Sequence, residues 1–353
     1  MAEIQTGFFT HELQLRRIDG LGDPLKALGS SIDFELFRPV LEQLLGARKG
    51  GPGRPPWDRL LMFKILVLQT VRGLSDEKLE FELIDSASAQ RFVGLSPHDA
   101  VPDSRTIWLF RDTLTKARMN DGDDRDRVRL LFDRFHEELS SRGLLCREGR
   151  TVDAMIVEVP RQRNTPDDNK TIKRGGVPAD WPSQPRKLAQ KDVDARWARK
   201  NYVTYYGYKN SIVGGIKDGW VHDYKVCPAN THDSTIIPAL FFKADSPGAV
   251  AYGDSAYSKP VVLARLADAG IEARIHEQRL AGSELTEQQK QPNRLKTKVR
   301  IRIEHRFGRM RACLGGLAVR AVGLARCRAW IGMVNLVYNL MEFERLHRGV
   351  ARA

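Results

Sequence analysis

Asp153 stands in the middle of an apolar segment, GRTVDAMIVEVP, which spans residues 149–160. The β-branched residues of this segment predict a strand, and apolar side chains at both parities predict that the strand is buried on both faces. An ionised carboxylate without a partner costs on the order of several kcal/mol in such a place. The sequence therefore predicts that a cation lies beside Asp153.

Two further acids stand where a carboxylate can do chemistry. Asp254 ends the short apolar segment GAVAYGD, and carboxylates at strand ends of α/β sheets commonly face a ligand crevice. Glu304 is the only acid among the eleven Lys and Arg residues between Arg294 and Arg328. Ordinary structural roles remain open for both acids, because Asp254 could cap the next helix and Glu304 could pair with Arg300.

Helical spacing indicates which residues of the basic segment around Glu304 share a helix face. Arg300, Glu304 and Arg311 share one face, at offsets of four and eleven residues, beside an apolar stripe. The stripe consists of Val299, Ile303, Phe307, Met310 and Leu314. We expect the stripe to dock this helix on the sheet. The arginines of the helix are candidate DNA contacts, namely Arg300, Arg302, Arg306 and Arg311.

A shared site for the three acids would explain the burial of Asp153. Two adjacent carboxylates repel unless cations lie between them, and oxygen ligands of this kind suit Mg²⁺ or Mn²⁺. Two such ions roughly 3.5–4 Å apart clamp the attacking and leaving oxygens in phosphoryl transfer. The surrounding arginines would hold a phosphodiester backbone. The pattern favours metal-dependent chemistry on a nucleic acid.

The composition agrees with a nucleic-acid partner. The chain has 353 residues, with 57 Lys and Arg against 44 Asp and Glu, and a formal net charge of +13. This excess favours nucleic acid before membrane, although a merely basic surface would produce the same count. The four cysteines form no CxxC pair, the amino terminus has no signal-peptide pattern, and no segment has the roughly 20 apolar residues of a spanning helix. We expect a soluble protein without a zinc site or a disulfide framework.

Residues 1–145 predict an all-α domain. Three helical segments, bounded by Gly73, Ser75 and Gly94, are joined by short turns and suit a helix-turn-helix-like DNA-binding module. A plain helical bundle is the alternative. The basic linker RKGGPGRPPWD supplies Arg54, and the helix in PDSRTIWLFRD supplies Arg105, as further candidate DNA contacts.

Residues 146–353 predict a mixed α/β domain. The order of its elements is strand, hairpin, strand, helix, strand and helices, with Lys217-Asp218-Gly219 at the hairpin turn. Residues 161–200 are polar and basic, so we expect an insertion that packs poorly on the core and wraps DNA.

A set of motifs in this order resembles the bacterial insertion-sequence transposases with a DDE active site, in the superfamily that joins insertion-sequence families four and five. The similar segments cover roughly residues 30–345. They are GRPPWD, GLSDEKLEFELIDSASAQRFVGL, VPDSRTIWLFRD, TVDAMIVEVPRQ, YGYKNSI, NTHDS, YGDSAYS and RIEHRFGRMR.

The resemblance implies an RNase H-like fold in which Asp153, Asp254 and Glu304 bind two Mg²⁺ or Mn²⁺ ions. The family signature places Tyr, Arg, Glu and Lys at fixed spacing; here Arg300, Glu304 and Arg311 match, Arg replaces Lys, and Thr297 stands at the Tyr position. The missing Tyr favours family five. Asn230, His232 and Asp233 of NTHDS could contact DNA or order the active site, and a turn that caps the next helix is equally open.

The implied function is DNA transposition. A homodimer or higher oligomer would bind terminal inverted repeats through the helical domain, cleave the 3′ ends and join them to target DNA, in the cytoplasm and associated with the nucleoid. Two alternatives remain open: a metal-dependent nuclease of the same fold without strand transfer, and an inactive DNA-binding regulator.

Overall fold

The computed structural model describes residues 10–46, 55–116, 127–200, 202–236, 248–277, 287–317, 319 and 321–350. The chain forms two compact units, one of residues 1–135 with 336–353 and one of residues 136–335. Both boundaries fall inside long helices, Arg127–Ser141 and Leu324–Val350, rather than in a linker. The end of the last helix belongs to the first unit.

The described residues of the first unit form helices and no strand, as predicted for an all-α domain. Its helices are α1 (Thr10–Gly20), α2 (Pro24–Ser31), α3 (Arg38–Leu45), α4 (Arg59–Arg72), α5 (Asp76–Asp85), α6 (Ala87–Val93), α7 (Ser104–Lys116) and the larger part of α8 (Arg127–Ser141). The predicted cap Ser75 accepts from the Lys78 N–H. Gly73 and Gly94 end α4 and α6 with left-handed φ angles of 63° and 91°, which glycine adopts without a side-chain clash.

Aromatic packing and a bidentate ion pair hold these helices together. The rings of Phe37 and Phe63 are fully buried, with centroids 4.8 Å apart. The Arg111 guanidinium on α7 donates to both Asp76 carboxylate oxygens on α5, at 2.6 and 2.7 Å. Such a bidentate pair fixes the angle between two helices as well as their spacing.

The second unit contains a six-stranded mixed sheet flanked by helices, which confirms the predicted fold class. Its strands are β1 (Gly149–Glu158), β2 (Arg196–Lys200), β3 (Val203–Gly215), β4 (Val221–Pro228), β5 (Val250–Gly253) and β6 (Glu272–Ile275). The strands are ordered β2-β3-β1-β5-β6, and β4 also pairs with β3. β1 runs antiparallel to β3 and parallel to β5, and β5 runs parallel to β6. β1 is thus an interior strand, as its apolar pattern predicts.

Three of the remaining helices of this unit follow the predicted order, and two short helices lie in residues 161–200, where none was predicted. These helices are α9 (Pro166–Lys173), α10 (Pro185–Ala189), α11 (Pro260–Asp268), α12 (Glu287–Cys313) and the first part of α13 (Leu324–Val350). Ile303, Phe307 and Met310 of the predicted stripe are buried, and α12 packs against β1 and β5. Among the described helices, none is long and apolar enough to cross a membrane.

The prediction that residues 161–200 pack poorly on the core is wrong. Trp181 is fully buried, and the buried Asp192 accepts from the Tyr208 hydroxyl at 2.7 Å and from the Gly323 N–H at 3.0 Å. The segment also contributes the edge strand β2 to the sheet. A few buried residues spaced widely among polar ones fasten this segment, and such spacing carries no periodic signal.

Candidate active site

Asp153 on β1 and Asp254 directly after β5 occupy matched positions of two neighbouring parallel strands. The last paired residues of β1 and β5 are Thr151 and Tyr252, and each acid stands two residues further along its strand direction. Because parallel strands run in register, the two residues stand at corresponding positions beyond the last pair of the β1–β5 ladder. Sequence reasoning placed both acids on strands, and the sheet order makes those strands neighbours.

The Asp153 carboxyl is buried, and neighbouring groups shift its pKa in both directions. Burial raises its pKa above the ordinary value, and the charge of Asp254 raises the pKa further. The Ala154 N–H, which donates to Oδ1 at 2.7 Å, and the Arg300 guanidinium lower the pKa and offset part of this effect. A cation bound beside Asp153 would stabilise its ionised carboxylate, as the apolar sequence around Asp153 predicts.

Asp254 caps a turn, which is one of the roles that the sequence left open for it. It caps the short 3₁₀ turn Ser255–Tyr257, and Oδ1 accepts from the Ala256 N–H at 2.9 Å. The bond to Ala256 orients the half-buried carboxylate and engages one of its two oxygens.

Helix α12 brings Glu304 and Arg300 to the same edge. The Arg300 guanidinium lies 3.4 Å from Asp153 Oδ2 and 3.6 Å from Glu304 Oε1. The Arg300 side chain is nearly buried, whereas the Glu304 side chain is 53% exposed. Glu304 is therefore connected to Asp153 through an arginine, and the i,i+4 pair that the sequence left open is formed.

Arg306 does not lie where a DNA backbone could reach it. Its guanidinium is buried and donates to the carbonyls of Gly215 and Asp218, each at 2.6 Å, and to the Gly219 carbonyl at 3.2 Å. The predicted DNA contact at Arg306 is thus corrected to a structural role that fastens α12 to the turn between β3 and β4. Helical periodicity did not predict this role. Arg306 stands next to the apolar stripe, and its long side chain can extend past the stripe.

The other predicted DNA contacts are placed differently. Arg302, Arg311 and Arg105 are exposed, Arg302 donates to the Ile216 carbonyl, and Arg300 contacts the acids. Arg54 lies outside the described residues.

His276 is a neighbour of the acids that sequence reasoning missed. It follows β6 as Asp254 follows β5, and its N–H donates to the Gly253 carbonyl at 3.1 Å. Its Nδ1 lies 3.3 Å from the Arg300 guanidinium. Burial lowers the pKa of His276, and the charges of Arg300 and Lys296 lower it further, so the imidazole is neutral at pH 7. The only local signal was its position directly after a short strand.

The NTHDS segment forms a cap and an ion pair. His232 precedes a 3₁₀ turn, and its Nδ1 accepts from the Ser234 N–H at 3.2 Å. The Lys209 ammonium on β3 contacts Asp233 Oδ1 and the Thr231 carbonyl, each at 2.7 Å. Burial raises the pKa of Tyr257, and the charges of Asp233, Asp153 and Asp254 raise it further.

The donor chemistry of the site suits a hard divalent cation. Carboxylate oxygens are the ligands that Mg²⁺ and Mn²⁺ prefer, and Asp153 is a buried acid whose charge is only partly offset. Within the described ranges, no three His, Cys, Asp or Glu side chains converge closely enough to hold an ion. Arg300 lies between Asp153 and Glu304, so one positive charge already bridges two of the predicted ligands.

Paired acids on a mixed sheet, with an arginine-rich helix beside them, define a class of enzymes that act on phosphodiesters. A family model described as a transposase domain matches residues 13–113, and one described as a transposase DDE domain matches residues 145–340. The second match covers more than half of the chain, which therefore belongs to the DDE transposase family. The chain is a DNA transposase with an RNase H-like catalytic fold, and enzymes of this family generally use divalent metal ions for phosphoryl transfer on DNA.

Solved transposase structures are similar over most of the chain at low identity. A piggyBac transposase synaptic complex with hairpin DNA is 12% identical, with 96% of this chain and 78% of that chain covered and a TM-score of 0.47. A pre-cleavage Mos1 transpososome is 11% identical, with 87% and 82% covered and a TM-score of 0.23.

Proposed function

We propose that this transposase cleaves the 3′ ends of an insertion sequence and joins them to target DNA at one site formed by Asp153, Asp254 and Glu304. The observation that carries the proposal is the matched placement of Asp153 and Asp254 on adjacent parallel strands. Glu304 reaches the same edge on α12, where Arg300 connects it to Asp153.

The three carboxylates would hold two Mg²⁺ or Mn²⁺ ions. When bound, such ions activate the attacking oxygen and stabilise the leaving oxygen of the phosphodiester. The protein groups supply charge and position rather than a nucleophile, so no covalent enzyme intermediate is needed. Arg300 neutralises the acids, while the exposed Arg302 and Arg311 on the same helix are available to the DNA backbone.

The partner and assembly follow the same reasoning. The helical domain, residues 1–145, would bind the terminal inverted repeats, with Arg54 and Arg105 as contacts, and residues 146–353 would form the catalytic domain. The net charge of +13 supports an extended contact with DNA. Two active sites are needed to join two ends, so a homodimer or higher oligomer would act, in the cytoplasm and at the nucleoid.

A two-oligonucleotide assay tests the proposal against its alternatives. A labelled duplex that carries the inverted repeat flanking the gene is incubated with a target duplex and Mg²⁺ or Mn²⁺. Strand-transfer product supports the transposase, nicking alone indicates a nuclease, and binding alone indicates an inactive regulator. Loss of all products in Asp153→Asn and Asp254→Asn proteins that still bind the repeat would place the chemistry at these acids.

A further inference from the structure

Two large aromatic side chains are exposed on the hairpin formed by β2 and β3. Trp197, in β2, is 48% exposed, and Tyr202, directly before β3, is 92% exposed. β2 is the edge strand of the sheet. Charged residues are enough to protect an edge from unwanted pairing, and β2 already carries Arg196, Arg199 and Lys200. The exposed rings therefore need another explanation.

The exposed Tyr202 also has a backbone conformation that is unfavourable for a residue with a side chain. Lys200 pairs with Val203, so Tyr202 lies in the tight turn that joins the two strands. Its φ angle is +64°, in the left-handed region that glycine ordinarily occupies in such turns. A tyrosine there costs conformational energy that glycine would avoid, and the ring gains no burial in return. This arrangement presents a ring to solvent at the expense of local stability.

Each ring is accompanied by a guanidinium group. Arg161 lies 5.5 Å from the centre of the Trp197 ring, and Arg199 lies 5.5 Å from the centre of the Tyr202 ring. The buried Tyr206 supports Trp197 from the neighbouring strand, with ring centres 5.0 Å apart. Exposed aromatic rings interleaved with arginines are the pattern that binds single-stranded nucleic acid, because the rings stack on bases and the cations hold phosphates.

We propose that Trp197 and Tyr202, with Arg161 and Arg199, form a stacking surface for unpaired DNA bases. The exposed faces of the two rings would stack on bases, and the two guanidinium groups beside them would hold the phosphates.

The occupant is single-stranded DNA rather than an intact duplex. Bases in a duplex are stacked on each other, so their faces are not available to a side chain. DNA at a cleavage site has nucleotides that can leave the stack, and each stacked base adds affinity without sequence preference. This proposal rests on the proposed end-cleavage function, since that function supplies the unpaired nucleotides.

Fluorescence measurements on the full-length protein test the stacking surface. One probe is a blunt duplex of the inverted repeat, and the other carries a four-nucleotide overhang with 2-aminopurine in its unpaired part. Binding is followed by anisotropy in EDTA, so that no cleavage occurs. We expect the wild-type protein to prefer the overhang probe and to quench 2-aminopurine. Tyr202→Gly and Trp197→Ala should each reduce this preference roughly tenfold and restore the emission.

The choice of variants separates stacking from folding. Glycine adopts φ of +64° without strain, so Tyr202→Gly should keep or raise the unfolding temperature while it loses the preference. Tyr202→Phe should retain the preference, and Phe81→Ala, which removes an exposed ring on α5, should leave it unchanged. An unchanged preference and unchanged quenching in Tyr202→Gly would refute the stacking surface. Failure of the proposed function would instead appear as no binding to either probe, or as no cleavage in the two-oligonucleotide assay.

Discussion

The Arg300 guanidinium lies 3.4 Å from Asp153 Oδ2, and the same group lies 3.6 Å from Glu304 Oε1. One side chain of α12 therefore neutralises a buried acid on β1 and a half-exposed acid on its own helix. A divalent cation that enters the site competes with this guanidinium for the same carboxylates. DNA phosphate, in turn, competes with the carboxylates for Arg300, so metal and DNA should help each other to bind.

Replacement of Arg300 by glutamine should change metal and DNA binding in opposite directions. We expect Mn²⁺ to bind roughly tenfold more tightly, because a positive charge near the ligands has been removed. The salt dependence of DNA affinity should become shallower by about one unit, because one phosphate contact is lost. Mn²⁺ titration followed by electron paramagnetic resonance, and gel shifts at two salt concentrations, measure the two effects.

Arg311→Gln is the matched control for Arg300. Arg311 lies eleven residues further along α12 and is exposed. This variant should lose the same unit of salt slope without any change in Mn²⁺ affinity. Equal Mn²⁺ affinities for the wild-type and Arg300→Gln proteins would show that Arg300 does not compete with metal.

Asp153→Asn should stabilise the metal-free protein and abolish cleavage. Because burial raises the pKa of Asp153 in the folded state, the ionised carboxylate destabilises the fold. This cost is absent below the ordinary pKa of 3.8, grows as the pH rises through the elevated folded pKa, and is complete above it. We expect the variant to gain on the order of 1 kcal/mol at pH 7 in EDTA and nothing near pH 3.5. Urea denaturation at the two pH values measures the gain.

Asp167→Asn controls for a general loss of negative charge, since the Asp167 side chain is 88% exposed. Its stability should match the wild-type protein at both pH values. A gain in Asp153→Asn that was independent of pH would contradict the buried-charge explanation.

Arg306→Lys should destabilise the second unit without altering the salt dependence of DNA binding. A lysine cannot reach three backbone carbonyls with one planar group, so buried acceptors would lose their donors. We expect a loss of roughly 2–4 kcal/mol in the free energy of unfolding. Arg302→Lys, at an exposed position of the same helix, should cost much less. Arg306→Gln, which removes the charge, should leave the salt slope unchanged, and a slope shallower by about one unit in that variant would restore the predicted role of Arg306 as a DNA contact.

Asp192→Ala should show that residues 161–200 are part of the folded core. The substitution leaves the buried Tyr208 hydroxyl without its acceptor and removes the acceptor of the Gly323 N–H. We expect a loss of about 3–5 kcal/mol, measured by urea denaturation, whereas Asp167→Ala in the same segment should cost little. Wild-type stability in Asp192→Ala would mean that this segment is only loosely attached.

Local patterns were sufficient for the types of most elements. The apolar run around Asp153 predicted an interior strand, and the caps and stops at Ser75, Gly73 and Gly94 predicted helix ends. These features follow from interactions between residues a few positions apart, which are visible in any short stretch of sequence. The spacing of Arg300 and Glu304 likewise predicted their pairing on one helix face.

Tertiary structure decided which of these residues meet. The register that aligns Asp153 with Asp254 joins strands about a hundred residues apart, and no local periodicity encodes that pairing. Arg306 and Trp181 are buried by groups that are distant from them in the sequence. The basic helix that contains Arg306 and the polar segment that contains Trp181 therefore gave no local indication of a buried residue. His276 became a neighbour of the acids only because β6 pairs with β5. The sequence by itself determined the element types and the chemistry of the acids, whereas long-range packing determined their distances, because contacts between remote residues depend on the whole fold.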